Sequence, residues 1–300
     1  MIAPKVTIGM PVYNGEHTIR KSLDSILAQS YGDFELIVSD NASTDATETI
    51  CREYCGKDAR VIYVRQARNI GACKNFKFVL DNAKGSLFMW WAADDTRSGD
   101  FVECNVQFLE ANPEYVASTS PNCMDGQNAV GDSLVTFSMD GDVEKRFKSF
   151  FDNCWNSHGI FYSLIRTEPL RACTEVGVNY FGVDWSMNLF LAARGKVGRV
   201  DKGLAVFGKK GISSRPNVWA DYRCRLIHWI MPFYEFSLYS YRLASNFTFF
   251  AKMRLVSRLF ILNFVSAVFQ VRAEARDFFA SVKDRLSSIV SSRACCRWTK

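Results

Sequence analysis

Two adjacent carboxylates, Asp94 and Asp95, close the run Leu87-Phe88-Met89-Trp90-Trp91. Apolar residues in unbroken series behind Gly85 read as a short strand buried on both faces. In open α/β sheets, ligands sit just beyond the carboxyl ends of the strands. Two acids at a core strand's tip are costly unless a cation or a hydrogen-bonding ligand meets them. The chemistry this permits is a divalent cation held against a phosphate, because hard cations take carboxylate oxygens. The plainer alternative is a solvated strand-to-loop turn, where Asp is common.

The segments around this run decide what positions it. Strands are predicted over 6–10, 34–38, 61–65, 87–91 and 115–119. Helices are predicted after the Pro11–Glu16 loop up to Tyr31-Gly32, from Ser43 to about Tyr54, over 72–82 and over 98–110. The helical periodicity of Ile19, Leu23, Ile26 and Leu27 is typical of them. Strands alternating with helices mean βαβ units and a mostly parallel sheet. Every early strand tip carries polar residues: Tyr13 and Asn14, Asp40 and Asn41, Arg68 and Asn69, Asp94 and Asp95. Four such tips on one rim make a site where one alone would mean little. The first strand is not followed by Gly-x-Gly-x-x-Gly, and Gly208-Lys209-Lys210-Gly211 is not a P-loop. A dinucleotide dehydrogenase and a P-loop ATPase are therefore disfavoured.

Composition adds bounds. The 300 residues suit one large domain or one domain with an appendage, and 48% hydrophobic content fills a sizeable core. The net charge of +6 is uneven: residues 1–203 hold 21 Lys+Arg against 26 Asp+Glu, and residues 204–300 hold 16 against 5. The net charges of −5 and +11 direct the C-terminal third toward something anionic. Ten cysteines without framework or zinc spacing read as thiols of a reducing cytosol. The N-terminus has no signal-peptide pattern. No 18 consecutive apolar residues occur, which argues against a spanning helix. The sequons at Asn41 and Asn246 read as chance matches, since a glycan on Asn41 would block the strand tips.

Four segments together resemble the inverting glycosyltransferases of family 2, with the GT-A fold: Pro11-Val12-Tyr13-Asn14-Gly15-Glu16, then Phe34 through Asp45, then Arg68-Asn69-Ile70-Gly71, then Ala92-Ala93-Asp94-Asp95. The resemblance is strong over residues 5–120, thinner over 121–210 and silent beyond about 215. It implies an α/β nucleotide-sugar-binding domain over 1–215 and a helical extension over 216–300. Pro11, Tyr13, Asn14, Glu16 and Asp40 would hold the base and ribose of a nucleotide-sugar, with Arg68, Asn69 and Gly71 beside them. Asp94 would face the ribose or donor sugar, and Asp95 would bind Mg²⁺ or Mn²⁺ bridging the diphosphate. The family often has an acid three positions before the last Asp, and here that position is Ala92. Asp184, in Phe181-Gly182-Val183-Asp184-Trp185, resembles the family's catalytic base, with Val183 in place of a first acid. Its other reading is a helix cap. His158 would touch donor phosphate or acceptor, or simply pack. Lys209 and Lys210 would close over the diphosphate, or form a solvated basic turn. Asp40 suits the imide N–H of uracil or thymine, and guanine offers one too. UDP is the favoured donor.

Residues 220–280 read as aromatic-rich helices. Leu259–Phe269, flanked by Lys252, Arg254, Arg258, Arg272 and Arg276, fits a helix lying on an anionic membrane surface. Packing on the catalytic domain or on a second copy is the alternative. The expectation is a metal-dependent transferase extending a glycan at the inner face of the membrane, on a polyprenyl-pyrophosphate-linked acceptor as the resemblance suggests. Nucleic acid is not expected as a partner, because no recognition module appears. A processive synthase is disfavoured by the lack of spanning helices and of a Gln-x-x-Arg-Trp segment. A silent nucleotide- or lipid-binding adaptor is the rival, motivated by Ala92 and Val183.

Overall fold

The computed structural model describes residues 3–127, 136–209 and 217–295, the last sixteen of these as backbone only. The chain runs β1 (Val6–Val12), α1 (Ile19–Leu27), β2 (Phe34–Asp40), α2 (Thr47–Lys57), β3 (Val61–Arg65), α3 (Ala72–Asp81) and β4 (Leu87–Trp90). Then follow β5 (Thr96–Arg97), α4 (Phe101–Ala111), β6 (Tyr115–Thr119), β7 (Asn122–Met124), α5 (Val143–Asn153), α6 (His158–Phe161) and β8 (Leu164–Arg166). Last come α7 (Thr167–Arg171), α8 (Val183–Arg194), β9 (Lys196–Arg199), β10 (Ala205–Phe207), α9 (Ile227–Ile230), α10 (Tyr234–Leu243) and α11 (Phe249–Cys295).

Seven strands form one sheet in the order β3-β2-β1-β4-β8-β6-β9. β1 pairs in parallel with β2 and β4, β2 with β3, and β6 with β9, while β8 runs antiparallel to β4 and β6. All seven residues of β2 are buried, as a strand covered by helices on both faces requires. The strand order creates the site. The chain steps outward from β1 to β2 to β3, then returns to the other side of β1 as β4. Connections leave β1 and β4 in opposite directions, and a crevice opens between them at the carboxyl ends of the strands. Register aligns Val12 with Asp40 and Gly9 with Trp90, so these tips share one rim.

The predicted core strands are all present, with shifts of one or two residues at their ends. The helix expected from Ser98 begins at Phe101. The small sheet β5-β10-β7 was not predicted, since strands of two or three residues carry no readable period. The tail is helical but not detached. Phe233, Phe236, Leu255, Leu259 and Leu262 belong to the same apolar cluster as Phe150, Trp185 and Leu189. The argument against a spanning segment needs correction on length and composition alone: Phe249–Phe279 is one helix long and apolar enough to cross a membrane. Counting consecutive apolar residues missed this, because Asn263, Ser266 and Gln270 interrupt the run without adding charge.

Candidate active site

Two loops build the floor. The turn after β1 and the turn after β2 are cross-linked by Asn14 N–H to Ser43 Oγ (2.9 Å), Thr44 N–H to Asn14 Oδ1 (2.8 Å) and Gly15 N–H to Thr47 Oγ1 (2.9 Å). Glu16 accepts from Ala46 N–H (2.9 Å), and Asp45 accepts from Glu16 N–H (3.0 Å). Asn14 (φ 52°) and Ala42 (φ 62°) lie in the left-handed region. Such strain gathers where the surrounding structure over-determines a functional loop. Ala42→Gly should raise stability by about 0.5–1 kcal/mol, the relief of the Cβ clash less the chain entropy of glycine. A thermal melt checks it, and a lower Tm would mean the Ala42 methyl is needed for packing.

A cavity of about 440 Å³ opens at the β1/β4 crevice, and Pro11, Tyr13, Asn14, Asp94, His158 and Asp184 all line it. Residues from both ends of the sequence thus meet in one place. Its remaining wall includes Phe161 and Tyr162, and also His17, Thr18 and Phe76, which sequence reasoning did not identify. Behind the wall the Trp90 and Phe161 rings stack at 4.9 Å.

Asp94 and Asp95 part company. Asp94 stands on the cavity wall, whereas Asp95 is only 3% exposed and lies beneath it. Asp95 Oδ1 accepts from Gly208 N–H (2.9 Å), and Oδ2 is buried without a partner among the described residues. Burial pushes the Asp95 carboxyl up to about 7, against the pull of the nearby Arg97 charge. Arg97 is itself buried, donating to the Trp90 and Tyr162 carbonyls with its guanidinium 4.2 Å from the Trp91 ring. Of the two, the carboxylate facing the cavity is that of Asp94, whereas Asp95, the expected metal ligand, lies beneath the wall.

Asp40 also lies away from the cavity. It is fully buried and off the cavity wall, and both its oxygens are engaged. Oδ1 accepts from Ser43 N–H (2.8 Å), and Oδ2 accepts from Tyr63 OH (2.7 Å) and Arg65 Nη1 (2.8 Å). Its work is to pin the β2 turn to β3. Asn69 serves the same frame, accepting from Asn41 Nδ2 (3.0 Å) and Gly71 N–H (2.9 Å). Arg68 and Gly71 are exposed and off the cavity wall, and so is Lys209. Lys210 lies outside the described residues.

Asp184 sits in the first turn of α8, and the capping position is Gly182. Gly182 has φ 86°, and a Cβ there would meet the Phe233 ring at 2.7 Å. Phe233 stacks on Trp185 at 4.9 Å, so α10 clamps the start of α8. Burial in this apolar setting pushes the Asp184 carboxyl upward, and the nearby His158 opposes the shift. Asn188 Nδ2 donates to Ser157 O (3.2 Å), tying α8 to the segment that carries His158. A raised carboxyl on the wall of a cavity is what a general base for a hydroxyl requires.

Comparison with known proteins gives the family. The family model "Glycosyl transferase family 2" matches residues 7–167. The chain belongs to this family, and its fold is the GT-A-like α/β fold with a mostly parallel sheet flanked by helices. Glycosyltransferase GlyA of Streptococcus pneumoniae is 28% identical over 200 residues, covering 67% of this chain and 27% of its own length. The chain thus matches about a quarter of that relative. Residues 1–349 of S. aureus TarS, solved with UDP-GlcNAc, superpose with a TM-score of 0.56 at 18% identity, over 90% of this chain and 83% of that one. The mannosyltransferase PcManGT of Pyrobaculum calidifontis, solved with GDP-Man and Mn²⁺, gives 0.52 at 16% identity, over 100% and 82%.

Proposed function

We propose that this glycosyltransferase moves one sugar from a nucleoside-diphosphate sugar, UDP favoured, to a hydroxyl of a growing lipid-linked glycan of the cell surface, with inversion, at the inner face of the membrane. The observation that carries it is the meeting of Asp94 and Asp184 on one cavity wall at the β1/β4 crevice. The cavity volume suits a small-ligand site. TarS bound to UDP-GlcNAc and PcManGT bound to GDP-Man, which share the fold, support a nucleotide-sugar donor.

The residues fit a divalent cation, Mn²⁺ or Mg²⁺, through Asp94. No group of three or more His, Cys, Asp or Glu at metal-holding positions occurs among the described residues. A bound ion would draw most of its ligands from diphosphate and water oxygens, as metals that handle phosphates do. Such an ion neutralises charge on the departing diphosphate. The protein does the rest. The Tyr13–Asn14 turn and Phe76 shape the donor pocket, and His158 stands where phosphate or acceptor would lie. Asp184 takes the acceptor proton as the acceptor oxygen bonds to the anomeric carbon and the bond to the diphosphate breaks. A single displacement inverts the anomeric centre. Retention in the product, read by NMR, would sink the mechanism.

A screen of UDP, GDP, dTDP and CMP by thermal shift, with and without Mn²⁺, tests the donor and metal together. One nucleotide stabilising only with Mn²⁺ is the expected result. No shift by any of them overturns the reading. Ala92 and Val183, where the family resemblance carries acids, favour one alternative, a nucleotide binder without turnover. Nucleotide shifts without any transfer would select it.

Gly208 was not foreseen as a site residue. Its N–H holds Asp95, and a Cβ at 208 would overlap the Asp94 carboxylate. Gly208→Ala should therefore displace Asp94 and lower kcat/KM on the order of 10²-fold, the usual effect of a misplacement of about 1 Å. Unchanged kinetics would mean Asp94 swings clear without consequence.

A further inference from the structure

Helix α11 packs with its polar side inward. Asn263, Ser266 and Gln270 are buried against the protein, while Phe260 is 71% and Phe264 61% exposed. Asn263 is satisfied there, accepting from Phe233 N–H and donating to Ser237 Oγ, both at 2.9 Å. Ser266 Oγ and Gln270 Nε2 have no partner among the described residues. Further out, Phe249, Phe250, Val268 and Val271 extend the exposed apolar side. At 3.6 residues per turn these side chains share an arc of roughly 100°. A helix facing water on that side would be turned over. Apolar surface of this extent marks an interaction site.

Charge decides what covers it. Residues 249–279 carry five cations, Lys252, Arg254, Arg258, Arg272 and Arg276, and two acids, Glu274 and Asp277. Both acids have partners on this chain: Glu274 pairs with Arg223 at 2.6 Å, and Asp277 accepts from Asn217 at 3.1 Å. Arg254 and Arg272 are exposed and form no ion pair among the described residues. At helical spacing Arg254, Arg258, Arg272 and Arg276 follow one border of the apolar arc. Arg258 is already answered by Asp152 at 2.6 Å, but a second copy laid antiparallel on this face would bring Arg254 and Arg272 against the same cationic border. Lipid phosphates answer it.

We propose that the outward side of α11 lies in the plane of an anionic bilayer, with the apolar arc among the acyl chains and the arginine border at the phosphates. It lies rather than spans. The uncharged stretch between Arg258 and Arg272 rises about 20 Å, short of the hydrocarbon core of about 30 Å. Its inner side is also committed to the core through Leu255, Leu259 and Leu262. Neighbouring α9 adds the exposed Leu226 and Ile230. The contact gives the membrane location proposed above its physical means, but it stands on the helix alone.

Vesicle flotation of the full chain tests it, since flotation needs no turnover and fails or succeeds independently of the transferase reading. The chain should float with vesicles of equal phosphatidylcholine and phosphatidylglycerol, about tenfold or more better than with phosphatidylcholine alone. Phe260→Ser with Phe264→Ser should lose flotation while keeping the wild-type melting transition, because both side chains are exposed. Arg254→Gln with Arg272→Gln should lose the preference for the anionic vesicles. A wild-type chain that stays down with both vesicles overturns the proposal. So does a wild-type dimer in sedimentation equilibrium that the double Ser variant converts to monomer without any flotation.

Discussion

Asp184→Asn should lose transfer by about 10²–10⁴-fold and yet melt higher than the wild type at pH 8. The first half is the ordinary cost of removing a general base. The second follows from what raises the carboxyl. Burial disfavours the charged form, and the nearby His158 only partly compensates. An acid whose folded pKa lies above its unfolded value of about 3.9 adds stability below that value and loses it as pH rises through the folded one. At high pH the wild type bears the cost of ionising a desolvated carboxyl, which the isosteric amide does not. The gain in Tm should shrink as pH falls toward about 4, where both proteins are neutral at this position. In parallel, the acid limb of the wild-type kcat/KM profile should lie above the ordinary carboxylate range. A variant that melts lower than wild type at pH 8, by an amount independent of pH, would show that Asp184 is held by favourable contacts and is a structural residue.

The same helix turn shows how much of the site was legible in the sequence. Asp184 stood out because it precedes an amphipathic run in a recognisable segment, but the packing of its helix turn brings in Phe233, some fifty residues later, stacked on Trp185. The central strands were legible because buried parallel strands are continuous apolar runs. β5, β7, β8, β9 and β10 were not, since two to four residues hold no pattern. Asp40 was rightly placed at a strand tip, but its hydrogen bonds within the protein were not foreseen. Its partners Tyr63 and Arg65 lie on the neighbouring strand, in a register no local pattern reveals. Gly208 was silent because its contact with the acid pair crosses 113 positions. The composition of α11 announced an amphipathic helix without saying which side faces the protein, and the buried Asn263 settles that.

Adjacency conceals the last distinction, since sequence cannot say which of two neighbouring carboxylates faces the ligand. Strand β4 ends at Trp90, so the alternation that would sort Asp94 from Asp95 has already stopped. The expected result is a crossed pattern in nucleotide thermal shifts with Mn²⁺. Asp94→Asn should abolish the metal-dependent shift, and Asp95→Asn should keep most of it. Even partners one shell removed from a metal are worth about 10–100-fold in affinity, so a direct ligand should cost at least about 10²-fold. At a nucleotide concentration of about 100 Kd the wild type gains about 2.7 kcal/mol, and a Kd raised 10²-fold leaves about 0.4. The Asn at 95 retains the oxygen that accepts from Gly208 N–H, so the loop bearing Gly208 stays in place. Both variants are isosteric and open no void, which keeps the comparison between folded proteins. The reverse pattern, with the shift lost at 95 and kept at 94, would return the metal to Asp95 and require the buried carboxylate to turn outward when the donor binds.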